Sequence, residues 1–352
     1  MAETMRAYRI VQWGSAPEVV EVPVPRPGRG EVVVRVAGCG LCHSDLGMMQ
    51  MPREVGEAVG WKVPFTLGHE TAGWIAAVGE DVTGYAEGDA VALVSPSSCG
   101  ECWYCTRGQD NLCPFGVSGR GYGRDGGLAE FVRVTSTRGL VRLGRLDPST
   151  AGPLTDAGAT AFHAVRRVLP RVTPGGVVVV IGAGGLGSFA VQYLSLLTAA
   201  RIVVIDTSET KRALAEELGA HSTIAQVDAT TVNEIRALTD DGRGADAVLD
   251  FVGIDATIGA GTAATRAGGA FGLIGAANGK LDAPWFGGLP KDADIFTFQG
   301  STIADVRDVI GLAESGAIRN DVQKYTFDRV AEAYQDLEAG VLRGRAVVVF
   351  DT

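Results

Sequence analysis

Five consecutive β-branched residues, Val177-Val178-Val179-Val180-Ile181, run without a polar break into Gly182-Ala183-Gly184-Gly185-Leu186-Gly187. A strand with no polar alternation is buried on both faces, which is the habit of parallel strands covered by helices. The glycine turn then opens residues 186–197, whose apolar positions recur at helical spacing. One such unit cannot cover its own strand, so further units must follow. The chain supplies them: strands at 201–206, 245–251 and 269–274 and helices at 209–218 and 231–238. Strand and helix in alternation specify a doubly wound α/β sheet. Helical periods at 303–314 and 330–338 lead to a last apolar run, 346–350.

Before about residue 155 the texture is different. Short β-branched runs at 31–36, 71–78, 90–94 and 130–134 are separated by Gly and Pro, with no long helical period. This part is expected to be an irregular, mostly β domain. At 352 residues the chain has room for about two domains. The expected division is 1–154, 155–297 and a C-terminal return at 298–352. A net charge of −10 argues against nonspecific binding to nucleic acid or to anionic membranes. No apolar run approaches the ~18–20 residues of a membrane span, and the polar start Met1-Ala2-Glu3-Thr4 lacks a signal-peptide core. A cytoplasmic protein is expected.

Gly182, Gly184 and Gly187 stand in G-x-G-x-x-G spacing, with Gly185 and Leu186 between them. In a chain with 49 glycines the pattern alone is weak. Here it follows a strand and opens a helix, as a dinucleotide site requires: tight turn, close backbone approach to a pyrophosphate, and close helix packing. The pyrophosphate would meet the free N–H groups of the helix N-terminus. Asp206 closes the next strand at the distance expected of a ribose-binding carboxylate, and its charge favours NAD over NADP.

The six cysteines, Cys39, Cys42, Cys99, Cys102, Cys105 and Cys113, all lie in the first third. Cys99, Cys102, Cys105 and Cys113 can close a tetrahedral zinc sphere, which would be structural because no position is left for substrate. A redox dithiol or a disulfide knot are the other uses of such spacing. Cys42 in Gly-Leu-Cys-His-Ser-Asp and His69 in Gly-His-Glu suggest a second metal, which in a catalytic site takes three protein ligands. No cysteine follows Cys113 to complete that set.

Together these motifs resemble the zinc-dependent medium-chain alcohol dehydrogenases along essentially the whole chain. The resemblance implies a GroES-like β domain plus a Rossmann coenzyme domain. By it, Cys42 and His69 bind a catalytic zinc, with Asp45 and Glu70 as supporting carboxylates. Ser44 begins a proton relay, His43 lies near coenzyme phosphates, and Asp206 and Lys211 hold the adenine ribose. Arg345 is a further phosphate contact, and Thr160 abuts the nicotinamide. Trp61 and Phe298 fall where the family lines its substrate pocket, while His163 and His221 are expected to be structural.

Two departures from the family matter. Its third zinc ligand is often a cysteine where Leu154-Thr155-Asp156 stands here; some bacterial relatives carry aspartate, so Asp156 is the expected ligand, a helix cap being its other use. Several relatives end the relay in a histidine where this chain has Gly47, which leaves that end unassigned and suggests room for a bulky substrate. The implied function is reversible hydride transfer between an alcohol, secondary or aryl by expectation, and NAD, with two zinc ions per chain and a dimeric or tetrameric assembly. A polyol or amino-alcohol dehydrogenase, or a catalytically silent NAD-binding protein, are the rival expectations.

Overall fold

The computed structural model describes residues 3–350, in two compact units: residues 3–159 with 300–350, and Thr160–Gln299. The divisions fall within the helix Ala157–Val168 and just before Gly300, a few residues beyond the borders expected at 154/155 and 297/298. Among the described residues no helix is long and apolar enough to cross a membrane.

In the first unit a seven-stranded sheet runs Leu140–Arg142, Ala90–Leu93, Glu70–Val78, Val32–Gly40, Arg345–Val349, Val322–Thr326, and Phe131–Val134 also pairs with Val32–Gly40. The strand Val32–Gly40 is thus flanked by strands from distant parts of the chain, with Gly40 opposite both Glu70 and Val347. Gly40 has to be glycine. A Cβ there would lie 2.0 Å from Glu70 Oε2 and 3.0 Å from Pro153 Cγ, so the bare backbone is what lets the Glu70 side chain lie across it. Thr4–Ile10, Glu18–Pro23 and Phe65–Thr66 form a smaller sheet. The core beneath holds Ile10, Leu41, Phe65, Leu67, Leu128 and Tyr325 at 2% exposure or less.

The second unit is a six-stranded, wholly parallel sheet. Its order is Ser222–Ile224, Arg201–Ile205, Val177–Ile181, Ala245–Asp250, Thr265–Leu273, Asp294–Thr297. Counted within the unit this is 3-2-1-4-5-6, the doubly wound dinucleotide-binding order, whose reversal lies between the first and fourth strands. Val177 to Ile181 are all buried, as their unbroken apolar run requires.

Asp246, buried in the Ala245–Asp250 strand, accepts from Thr173 N at 2.7 Å, Thr173 Oγ1 at 2.5 Å and Arg266 Nε at 2.6 Å. Burial works to raise its pKa, but these donors win and lower it. A carboxyl lowered on folding stabilises above its ordinary value of ~3.9, and that contribution is lost as pH falls through the lowered pKa. Asp246→Asn is therefore expected to cost about 2–3 kcal/mol at neutral pH, the order of hydrogen bonds to a charged group. The difference from wild type should shrink below about pH 4. Urea unfolding at several pH values checks this; a pH-independent gap would refute it.

Candidate metal centres and coenzyme loop

The helix His43–Met49 begins at Cys42, an N-cap residue of extended backbone. Asp45, fully buried, accepts from Cys42 N at 3.0 Å and so fixes this start. Gly68, with φ +96, precedes His69; a Cβ at Gly68 would lie 2.6 Å from Cys39 Sγ and 2.8 Å from Leu128 N. The chain thereby brings Cys42, His69, Glu70 and Asp156 together, with one ligand atom from each within 4.8 Å of the others.

His69 Nε2 lies 3.6 Å from Asp156 Oδ2 and 3.5 Å from Ser44 Oγ, while Nδ1 faces Asp45 Oδ1 at 3.2 Å. Burial alone would lower the His69 pKa, yet the charge of Asp45 and the bond to Asp156 hold it well above the ordinary value. The same pairing outweighs burial and lowers Asp156. A buried cluster of one thiol, one imidazole and carboxylates needs a cation. The donor types are those of zinc. The donors therefore fit a zinc ion, and Cys42, His69 and Asp156 are the residues that would hold it.

Glu70 is buried and bonded through Oε1 to Arg345 Nη2, while Oε2 has no hydrogen-bond partner. Burial pushes the Glu70 carboxyl up to about 7, against the opposing charge of Arg345. Sequence reasoning expected Arg345 at a coenzyme phosphate. The structure places its guanidinium, 4% exposed, on Glu70. This pairing joins residues 275 apart, so no local signal announces it.

Cys99, Cys102, Cys105 and Cys113 form a second cluster, and all six cysteines are free thiols. Cys99 Sγ lies 3.9 Å from Cys105 Sγ, and Cys102 Sγ 3.9 Å from Cys113 Sγ. A disulfide would require about 2.05 Å. A tetrahedron with ~2.3 Å Zn–S bonds has edges of about 3.8 Å, so the thiols stand where such an ion needs them. Backbone N–H groups of Cys99, Cys102 and Cys105 point at Cys113, Cys99 and Cys102 Sγ at 3.3–3.5 Å. Arg138 bonds the carbonyl of Cys105 and the carboxylate of Asp110, whose other oxygen accepts from Ile303 N at 3.2 Å. The lobe is thereby tied to the first turn of the helix Ile303–Ser315.

In the second unit, the glycine loop leaves the Val177–Ile181 strand. Gly182 has φ +87, and a Cβ on Gly187 would lie 1.9 Å from Gly182 O. A Cβ on Gly184 would meet nothing within 4 Å, leaving backbone N–H groups open to an incoming phosphate. The helix Gly187–Leu197 follows, with no side-chain cap on its N-terminus at Leu186, beside Gly185. Asp206 takes Ala183 N and Ser208 N, each at 2.8 Å, one on each oxygen. That orientation leaves lone pairs for ribose hydroxyls. Lys211 lies in the first turn of the next helix, and the Thr160 hydroxyl is buried without a partner. The loop and its carboxylate fit a dinucleotide.

The remaining candidates are placed as follows. His43 is exposed at the start of its helix, and Gly47 on the same helix has nothing within 4 Å of an added Cβ. Trp61 is 8% exposed in the core of its unit and donates to Val117 O at 2.9 Å. Phe298, in the second unit, packs on Phe296 and on the His163 ring. His221 accepts from Ile202 N at 3.1 Å. Cys39 lies outside the donor set, and burial pushes its thiol up to about 12. Sequence reasoning did not find Tyr122, whose ring stands edge-on to His69 at 6.3 Å, or Ser95, whose hydroxyl bonds Asp156.

The family described as "Alcohol dehydrogenase GroES-like domain" matches residues 28–145, and "Zinc-binding dehydrogenase" matches 185–315. An NAD-dependent alcohol dehydrogenase of Sulfurisphaera tokodaii is 35% identical, over 98% of this chain and all of that protein. The crystal structure of an Aeropyrum pernix alcohol dehydrogenase superposes with a TM-score of 0.90 at 33% identity, over 98% and 99% of the two chains. Acetophenone reductase from Geotrichum candidum, solved in complex with NAD, gives 0.85 at 27% identity, over 99% and 98%. The chain belongs to the zinc-dependent medium-chain alcohol dehydrogenase family.

Proposed function

We propose that this chain is an NAD-dependent alcohol dehydrogenase that interconverts an alcohol and its aldehyde or ketone by hydride transfer. The observation that carries this is the juxtaposition of Cys42, His69 and Asp156 with the Ser44 hydroxyl, in a chain that also bears the open Gly184 loop. Bound zinc would supply Lewis acidity that lowers the pKa of an alcohol. Ser44 Oγ, 3.5 Å from His69 Nε2, would relay the alcohol proton, accepting it while its own hydroxyl proton passes on to solvent. Asp206 accepts hydrogen bonds from the adenine ribose and repels a 2′-phosphate. Cys99, Cys102, Cys105 and Cys113 would hold a second, structural zinc. The coenzyme supplies the hydride chemistry, and the protein supplies position and charge.

The assay that tests this is oxidation of 1-phenylethanol and of ethanol with NAD and with NADP. NAD should be preferred, and Asp206→Gly should narrow the gap in kcat/KM. A clear NADP preference in the wild type would contradict the assigned role of Asp206.

The substrate class is a bulky secondary or aryl alcohol. Support comes from the open space at Gly47 and from the likeness to acetophenone reductase from Geotrichum candidum. Contact with a phenyl group contributes roughly 1.5–3 kcal/mol, or one to two decades in kcat/KM where it persists in the transition state. Gly47→Phe should therefore penalise acetophenone far more than acetaldehyde. Equal losses, or a wild type favouring ethanol over 1-phenylethanol, would overturn this assignment. Six free thiols suit the reducing cytoplasm. The exposed pair Trp285 and Phe286, 81% and 80% accessible, supports a homo-oligomer whose second copy covers them.

A further inference from the structure

Behind the donor set stands Asp45, with no solvent exposure. Its Oδ2 accepts from Cys42 N at 3.0 Å and from Tyr334 Oη at 3.0 Å. Its Oδ1 is 3.2 Å from His69 Nδ1, within ion-pair distance but without an aligned hydrogen bond. One carboxylate therefore touches the backbone of one donor residue and the imidazole of another. Its orientation rests on the two aligned donors, Cys42 N and Tyr334 Oη.

Tyr334 comes from the far end of the chain, on the helix Val330–Glu338. Its ring is 4% exposed and stacks on Tyr8, with centroids 5.9 Å apart and planes at 21°. Packing thus fixes where the hydroxyl lies. Burial, and then the charge of Asp45, push the phenol well above its ordinary pKa, so the group stays a donor.

We propose that Tyr334 is a positioning residue for the Cys42–His69–Asp156 metal site. Its hydroxyl holds the Asp45 carboxylate so that Oδ1 keeps the Nδ1 proton of His69 and the unprotonated Nε2 faces the metal. This rests on the metal reading given above. A ligating histidine is commonly held through its other nitrogen by a carboxylate, and loss of such support costs about 10–100-fold in metal affinity. Tyr334 acts one residue further back, so its effect belongs at the lower end of that range. Without the hydroxyl, Oδ2 keeps one donor in a dry site, and the carboxylate is free to turn away from the imidazole.

The test uses the full-length, zinc-loaded protein and measures zinc affinity by chelator competition, with the Cys99–Cys113 ion as internal reference. Tyr334→Phe should weaken the other zinc about tenfold and leave the reference ion unchanged. Asp45→Asn should weaken it at least as much. The double variant should match Asp45→Asn alone, because the hydroxyl acts only through that carboxylate. If Asp45→Asn weakens zinc and Tyr334→Phe stays within twofold of wild type, the role of Tyr334 is overturned. A lower melting temperature with both zinc affinities unmoved would also overturn it, by marking the tyrosine as merely structural. If Cys42→Ser leaves both zinc populations unchanged, the metal reading itself fails and takes this inference with it.

Discussion

Asp156→Ala should lose one of two zinc ions and lower kcat/KM by at least about a thousandfold, or ~4 kcal/mol of transition-state stabilisation. The expectation comes from the donor set: without Asp156 two strong ligands remain, and His69 loses the carboxylate at 3.6 Å from Nε2. The protein should still fold, with its lobe ion in place, because Asp156 supports no part of the Cys99–Cys113 cluster. Asp156→Cys is the informative companion, since a thiolate is also a zinc ligand and should restore metal and part of the activity. Metal analysis together with steady-state kinetics decides the matter. Two ions and near-normal turnover in Asp156→Ala would show that the third ligand lies elsewhere, with Glu70 the next candidate.

Cys105→Ser should lower the melting temperature by about 5–10 °C, the shift expected from a few kcal/mol in a protein of this size. A closed Cys₄ site contributes its binding energy directly to folding. Its loss should also release Arg138 and Asp110, and with them the tie to Ile303 N. Turnover measured well below the transition should stay within a few-fold of wild type, with one zinc per chain. If turnover vanished while melting temperature and assembly stayed constant, the lobe would have to be assigned to chemistry.

The sequence was legible where interactions are local. The Val177–Ile181 run, its glycine loop and Asp206 all sit within thirty residues, and apolar continuity marks a strand covered on both sides. The cysteine cluster was legible because its spacing alone suits a tetrahedron. The strands Val322–Thr326 and Asp294–Thr297 were missed because they are mostly polar or only partly buried and carry no clear period. What spacing hides most completely is pairing across the sheet. Glu70 meets Arg345 because Arg345–Val349 lies beside Val32–Gly40, and Tyr334 meets Asp45 from 289 residues away. A tyrosine on an amphipathic helix looks like core, and an arginine opening a strand looks like surface, until the register is known. The family resemblance supplied Cys42, His69 and Asp156 as ligands and Asp45 and Glu70 as supporting carboxylates; it did not supply Tyr334 behind Asp45 or the pairing of Glu70 with Arg345.

The missing side chain at residue 40 has a practical consequence for anyone who reshapes this protein. Because the Glu70 side chain lies across bare backbone to reach Arg345, Gly40, Glu70 and Arg345 form one indivisible unit. Loss of Glu70 or Arg345 alone leaves its partner stranded in a dry interior, at a cost of about 3–5 kcal/mol, and any side chain at position 40 collides with Glu70. Random libraries that include position 40 will therefore be filled with unfolded clones, which conceal useful substitutions elsewhere. The open helix face around Gly47 carries no such obligation. If Gly47 lines the substrate site as proposed, diversity aimed at new substrates belongs there, with the strand Val32–Gly40 left untouched.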